Sequence, residues 1–197
     1  MPGSFSELIV LMPSIGATVL TAIAVKWLDD CIDEKHPTNS VRSGAAYSLL
    51  AILVAAILDL PLTIALFSAC YVIGMFTSMT QKLPSGLPGW LESMLILIFA
   101  AVYCGLAATF WSVLVIYSVQ LLDDLLDYRL DEQQNRSNVV NDLGVERTII
   151  LFSFCFYISV AIEPFLSVLV LSSALIVANT LFGRQKGGTL YARTDHG

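Results

Sequence analysis

Charged residues are scarce in this chain. Asp, Glu, Lys and Arg make up 13% of its 197 residues, while 56% are hydrophobic. A water-soluble domain carries about 25% charged residues, so there is too little polar surface here to face water on every side. Lipid is the expected solvent for much of the surface. Histidine and cysteine are also sparse: His36 and His196, and Cys31, Cys70, Cys104 and Cys155, stand singly along the sequence. That spacing excludes a soft-metal motif and a disulfide framework, and leaves the cysteines as small packing residues. No Lys or Arg precedes Lys26, and no small-residue cleavage pattern follows a short apolar core. The N-terminal stretch therefore reads as a permanent helix, not a signal peptide. Nucleic acid is not an expected partner.

The chain does contain apolar runs separated by compact polar patches. Seven spans are predicted, at 5–28, 44–60, 62–80, 90–107, 109–126, 148–163 and 165–183, several of them near the lower length limit for crossing a ~30 Å hydrocarbon core. They form one all-α transmembrane bundle, a single domain over 1–183, with a cytoplasmic tail at 184–197. Asp59-Leu60-Pro61 and Glu163-Pro164 mark tight helical hairpins, since proline cannot continue a helix and a carboxylate suits the N-terminus of the next one.

All ten basic residues fall on one side of this threading. Lys26, Lys35 and Arg42 flank the first polar loop, Lys82 lies in the second, Arg129, Arg136 and Arg147 in the third, and Arg184, Lys186 and Arg193 in the tail. The positive-inside rule then puts the N-terminus outside and these four segments in the cytoplasm. The same threading exposes an internal likeness between residues 5–80 and 109–183. In each, a helix ends in an Asp cluster, and a polar stretch, a helix, an acid-proline turn and a third helix follow. With the 90–107 helix between them, the copies run parallel and place their Asp clusters opposite each other across an axis normal to the bilayer.

The first cluster is Asp29-Asp30-Cys31-Ile32-Asp33-Glu34. The second is Asp123-Asp124-Leu125-Leu126-Asp127-Tyr128-Arg129-Leu130-Asp131. On a helix Asp30 and Asp33 share a face, as do Asp124, Asp127 and Asp131, with Asp123 one turn before Asp127. From Lys26 to Ser43 there are four acids against three bases, and from Asp123 to Arg147 seven against three. Topology accounts for the bases and leaves the acids unexplained. Carboxylates crowded at a membrane edge repel one another unless a cation neutralises them. Mg²⁺ suits them, since it takes one or two carboxylates and completes its octahedron with water and substrate phosphate. Lys35, Arg42, Arg129, Arg136 and Arg147 add phosphate-gripping groups.

At these residues the chain resembles the UbiA superfamily of intramembrane prenyltransferases. Asp29-Asp30-Cys31-Ile32-Asp33, trailed by Pro37, Asn39, Arg42, Ser43 and Gly44, is similar to the family's first acidic motif. Asp123 to Asp131, trailed by Arg136-Ser137-Asn138-Val139-Val140-Asn141-Asp142-Leu143-Gly144, is similar to its second. The likeness is loose over the whole chain and specific over about forty residues. Asp29 stands where the family usually has Asn, the fourth acid of the first motif is missing unless Glu34 serves, and the spans are fewer than the family's usual number.

The resemblance implies a Mg²⁺-dependent enzyme that ionises an allylic prenyl diphosphate and transfers the prenyl group to a lipophilic acceptor. Asp30, Asp33, Asp124 and Asp127 would be catalytic. Asp29, Asp30, Asp33, Asp123, Asp124, Asp127 and Asp131 would be metal ligands, and Asn39, Arg42, Lys35, Arg129 and Arg136 would bind substrate. A class I terpene cyclase using the same diphosphate site is the alternative, because the family includes such cyclases and the first motif here has the D-D-x-x-D form common to prenyl-diphosphate-ionising enzymes generally. Tyr47, Tyr71, Tyr103, Trp111, Tyr117 and Tyr157 are available to face a carbocation, although packing or interface anchoring is the simpler role for each. A non-enzymatic cation-binding protein is a third reading. Acids at helix ends, not mid-membrane, speak against transport, and the D-G-x-x-A-R signature of CDP-alcohol phosphotransferases is absent. The sequence leaves oligomeric state open.

Overall fold

A computed structural model describes the backbone over residues 5–33, 39–74, 79–134 and 138–191, and side chains over 11–28, 31, 43–74, 79–129 and 138–177. The described residues form eight helices and no strands: α1 (Phe5–Asp33), α2 (Asn39–Leu58), α3 (Leu60–Gly74), α4 (Gly89–Cys104), α5 (Leu106–Gln134), α6 (Val139–Leu143), α7 (Val145–Ile162) and α8 (Pro164–Tyr191). Three stretches are long and apolar enough to cross a membrane by themselves: Leu11–Leu28, Leu106–Arg129 and Val145–Ile162.

Many large apolar side chains are exposed while small hydroxyl residues are buried. Ile57, Leu106 and Val102 are 76%, 79% and 83% exposed, whereas Ser48, Ser112, Ser118, Thr148, Ser159 and Ser167 are fully buried. Small hydroxyl residues let helix backbones approach closely, and each can hand its hydroxyl to a carbonyl of its own helix, which offsets the cost of burial. Ser48, Ser118, Thr148 and Ser167 do this to the carbonyl four residues earlier, over 2.7–2.9 Å. The apolar side chains turn outward, as they do where lipid is the solvent.

The hairpin turns are built as the acid-proline pairs predict. The Asp59 backbone N–H still donates to Ala55, closing α2, and its carbonyl accepts from the Thr63 N–H in α3. Its side chain caps the new helix by accepting from the Leu62 N–H at 3.2 Å, and accepts from the Ser14 hydroxyl of α1 at 2.7 Å. Glu163 makes the matching backbone bonds, from its N–H to Ser159 and from the Ser167 N–H to its carbonyl. The Trp111 indole Nε1 of α5 donates to Ser167 Oγ at 2.8 Å. Each turn is thereby tied to the early part of another long helix.

Several boundaries differ from the sequence reading. Residues 79 and 80, expected in the third span, belong to a turn. Residues 79–90 fold into a tight loop in which Leu83 and Leu87 pair their backbones and the Trp90 N–H reaches the Met79 carbonyl. The fourth and fifth helices meet at Gly105, whose φ of +92° is strained for a residue with a side chain. The helix therefore breaks there and not at residue 108. The polar stretch after α5 contains the unpredicted short helix α6, and α8 runs on to Tyr191 where a tail from 184 was expected. A helix already nucleated by packing absorbs Gly187 and Gly188 at a cost of about 1 kcal/mol each.

α1 packs chiefly on α2 and α5 chiefly on α7, while α3 lies against α5, and α8 against α1. Leu62, Leu66, Trp111, Val115 and Val170 form an apolar cluster from α3, α5 and α8. It separates two cavities.

Candidate functional site

The first cavity, of about 210 Å³, lies among α1, α3, α5 and α8. Its walls are mainly aliphatic, with Val25, Leu66, Ile73, Ile116, Val119 and Val170 among them. Its polar wall residues come from the two long helices: Thr18, Thr21 and Lys26 on α1, and Gln120 and Asp123 on α5. Asp123, the first acid of the second cluster, is on the chamber wall, and Asp29, the first acid of the other, follows Lys26 by three residues along α1. α1 and α5 carry the two clusters because each continues unbroken for 29 residues.

The second cluster is not a uniform stripe. Asp123 is exposed, Asp127 half-buried and Asp124 buried. The Gln120 Nε2 donates to Asp124 Oδ1 at 3.1 Å, and the Val139 N–H donates to Asp124 Oδ2 at 3.3 Å. Asn138 Nδ2 donates to the Asp124 backbone carbonyl at 3.0 Å, while Asn138 Oδ1 accepts from the Val140 N–H at 2.8 Å. Asp124 and Asn138 together satisfy the first free N–H groups of α6, the groups a helix start leaves without partners. Sequence spacing placed Asp124 on the metal-facing stripe; in the structure its Oδ1 accepts from Gln120 within α5, and its Oδ2 accepts from the polar stretch at Val139. The signal for this was an Asn ahead of a short apolar pair, which is an N-cap pattern.

Asp123 and Asp127 lie one turn apart on α5. Two such carboxylates match the number Mg²⁺ usually takes from protein, with water and phosphate supplying the rest. Among the described residues no three His, Cys, Asp or Glu side chains converge on one point. Arg129 is exposed at the end of the same helix, its Nε donating to the Tyr128 hydroxyl at 3.0 Å. Asp29, Asp30, Asp33, Asn39, Arg42 and Asp131 lie on described backbone in α1, α2 and α5, but their side chains are outside the described residues, and Lys35 and Arg136 lie wholly outside them.

The aromatic candidates do not meet in this chamber: among the described residues none of the six lines it. Tyr47, Tyr103 and Tyr157 are exposed, in the manner of lipid-facing or interface anchors. The Tyr71 hydroxyl donates to Glu92 Oε1 at 2.7 Å, and the Ser85 hydroxyl donates to Glu92 Oε2 at 2.6 Å, so this pair secures the 79–88 loop to α3 and α4. Trp111 belongs to the apolar cluster and to the second cavity. That cavity, of about 490 Å³ at the other end of the bundle, is lined by the two hairpin acids Asp59 and Glu163 with Cys104 and Gly105.

No family model, no curated protein and no solved structure matches this chain.

Proposed function

We propose that this chain is a Mg²⁺-dependent intramembrane prenyltransferase, resembling the UbiA superfamily, that ionises an allylic prenyl diphosphate and passes the prenyl group to a lipophilic acceptor. The observation that carries the reading is the aliphatic chamber whose wall holds Asp123, the first acid of the second cluster, and Lys26, three residues before the first cluster. Hydrocarbon sits in the chamber, and the diphosphate sits among the charges at its end. Asp123 and Asp127 hold Mg²⁺ from the α5 side, joined by Asp29, Asp30 and Asp33 from α1. When bound, Mg²⁺ supplies positive charge that offsets the charge growing on the departing diphosphate. Lys26, Lys35, Arg42, Arg129 and Arg136 contribute further cationic contacts, and Asn39 a polar one. Asp124 acts by positioning: it fixes Gln120 and the start of α6 beside the site.

The proposed topology has seven crossings, by α1, α2, α3, α4, α5, α7 and α8, with the N-terminus outside and all basic segments in the cytoplasm. At 16 residues α4 rises only about 24 Å, and a locally thinned bilayer accommodates it. The proposal includes the parallel repeat, with α1–α2–α3 answering α5–α7–α8. Support comes from the paired turns: Thr63 gives its hydroxyl to the Asp59 carbonyl as Ser167 does to that of Glu163, and Ser48 bonds back to Gly44 as Thr148 does to Gly144.

Transfer is favoured over cyclisation by the chamber's lining. A cation carried through ring closures needs π-faces around it, and the described wall is aliphatic. The test is incubation of the purified protein with Mg²⁺ and geranyl, farnesyl or geranylgeranyl diphosphate. The expected result is diphosphate release that depends on an added quinone precursor or lipid alcohol. Release without acceptor, together with a cyclic hydrocarbon, would replace transfer with cyclisation. No Mg²⁺-dependent release with any of the three, even with membrane extract present, would overturn the enzyme reading.

A further inference from the structure

The aliphatic chamber has a floor. Leu66 and Val170 line the chamber and also belong to the buried apolar cluster, whereas Leu62 and Trp111 of the same cluster line the second cavity beyond. Leu62 stands one turn from Leu66 on α3, and Trp111 one turn from Val115 on α5, so the partition is two side-chain layers thick. Leu66 and Trp111 are each 2% exposed. Trp111 Nε1 donates to Ser167 Oγ at 2.8 Å, and the Ser167 hydroxyl donates to the Glu163 carbonyl at 2.7 Å, which fixes the indole within the partition. Round the chamber each helix packs on the next, α1 on α3, α3 on α5, α5 on α8 and α8 on α1. A hydrocarbon chain that enters beside Lys26 and Asp123 therefore runs down to Leu66 and Val170.

Depth and volume give the same capacity. The lining runs from Lys26 to Thr18 on α1, from Gly74 to Leu66 on α3 and from Asp123 to Ile116 on α5, a separation of seven or eight residues on each wall and hence a depth of about 10–12 Å. An isoprene unit adds four chain bonds of about 1.5 Å each, or about 5 Å in extended form, so two units fill that depth and a third overruns it. By volume, a cavity of ~150 Å³ takes a benzene ring, and the 210 Å³ here holds about eight or nine carbons on the same scale. A geranyl chain fits with its first carbons among the charges at the mouth. A farnesyl chain, one unit longer, would have to displace Leu66.

We propose that the substrate of this chain is the allylic diphosphate of two isoprene units, geranyl diphosphate, and that Leu66, backed by Trp111, is the residue that rejects longer prenyl chains. This rests on the transferase reading, which holds for any prenyl length.

The experiment measures the dissociation constants of geranyl, farnesyl and geranylgeranyl thiolodiphosphates for the purified full chain with Mg²⁺ present. Geranyl is expected to bind about tenfold or more tightly than either longer probe, the scale on which an apolar pocket discriminates by methylene groups. Leu66→Ala, which trims the floor, is expected to reduce the preference over farnesyl by about tenfold, and Val170→Ala, on the facing wall, to shift it the same way. Trp111→Phe keeps a ring in the partition and retains the preference. Equal binding of the three probes, or tighter binding of a longer one, to the unmodified chain overturns the inference and leaves the transferase reading standing, whether or not the variants fold. Saturable Mg²⁺-dependent binding of none of them overturns both. A preference undiminished in folded Leu66→Ala overturns the role of Leu66.

Discussion

Asn138 and Asp124 hold each other across the corner where α5 gives way to α6: the Asn138 amide donates to the Asp124 carbonyl at 3.0 Å, and Asp124 Oδ2 accepts the N–H of Val139, the residue after Asn138. Both side chains are buried. One buried carboxylate is thus used to hold the polar segment against α5, while Asp123 beside it lines the chamber.

This division of labour predicts different phenotypes for neighbouring acids. Asn138→Ala leaves the Val140 N–H without its partner and removes one donor from the Asp124 carbonyl, and is expected to lower stability by about 1–2 kcal/mol. Asp124→Ala is expected to do the same, and Asp124→Asn, which keeps an acceptor oxygen, to lose less. Thermal unfolding in detergent reads all three. An unchanged melting temperature in Asn138→Ala contradicts the capping role.

Asp30→Ala, Asp123→Asn and Asp127→Ala are expected to leave melting unchanged and to reduce Mg²⁺-dependent diphosphate release by about 10²–10³-fold, the scale of a lost charge-stabilising contact at a reacting centre. Chelation of Mg²⁺ should remove the remainder in every variant. Full activity in any one of the three refutes that residue's assignment as a ligand.

Glu92 gathers the Tyr71 and Ser85 hydroxyls and so fixes the loop that carries Lys82. Glu92→Ala is expected to release the loop and increase trypsin cleavage after Lys82. In sealed vesicles cleavage should occur only where the cytoplasmic face is outward. Cleavage from the opposite face contradicts the proposed topology.

Trp111 closes the apolar cluster and donates to Ser167. Trp111→Phe should cost about 1 kcal/mol for the lost hydrogen bond, and Trp111→Ala about 3–5 kcal/mol for the lost bond and packing. Equal losses in the two variants would mean that the ring's packing contributes little.

Much of this architecture was legible in the residues. Apolar runs and acid-proline pairs located the helices and the turns at Asp59 and Glu163, because proline and a capping carboxylate act locally. Gly105 was harder to place, since a left-handed glycine inside an apolar run looks like any small residue until the backbone turns there. Periodicity put Asp124 on a face but said nothing of what lies across from that face, so its engagement by Val139 and Gln120 was hidden. The aromatics misled for a related reason, because in lipid an exposed Tyr157 is as stable as a buried one, and composition does not say which way it points.

The central claim is that acids from α1 and α5 form one Mg²⁺–diphosphate site above the chamber. It is tested most directly by binding of the unreactive analogue geranyl thiolodiphosphate to the purified chain, measured calorimetrically with and without Mg²⁺. The account predicts saturable binding that requires Mg²⁺ and is weakened by about tenfold or more, as when contacts to a metal are lost, by either Asp30→Asn or Asp123→Asn alone. Binding indifferent to Mg²⁺, or lost in one variant and untouched in the other, would contradict it.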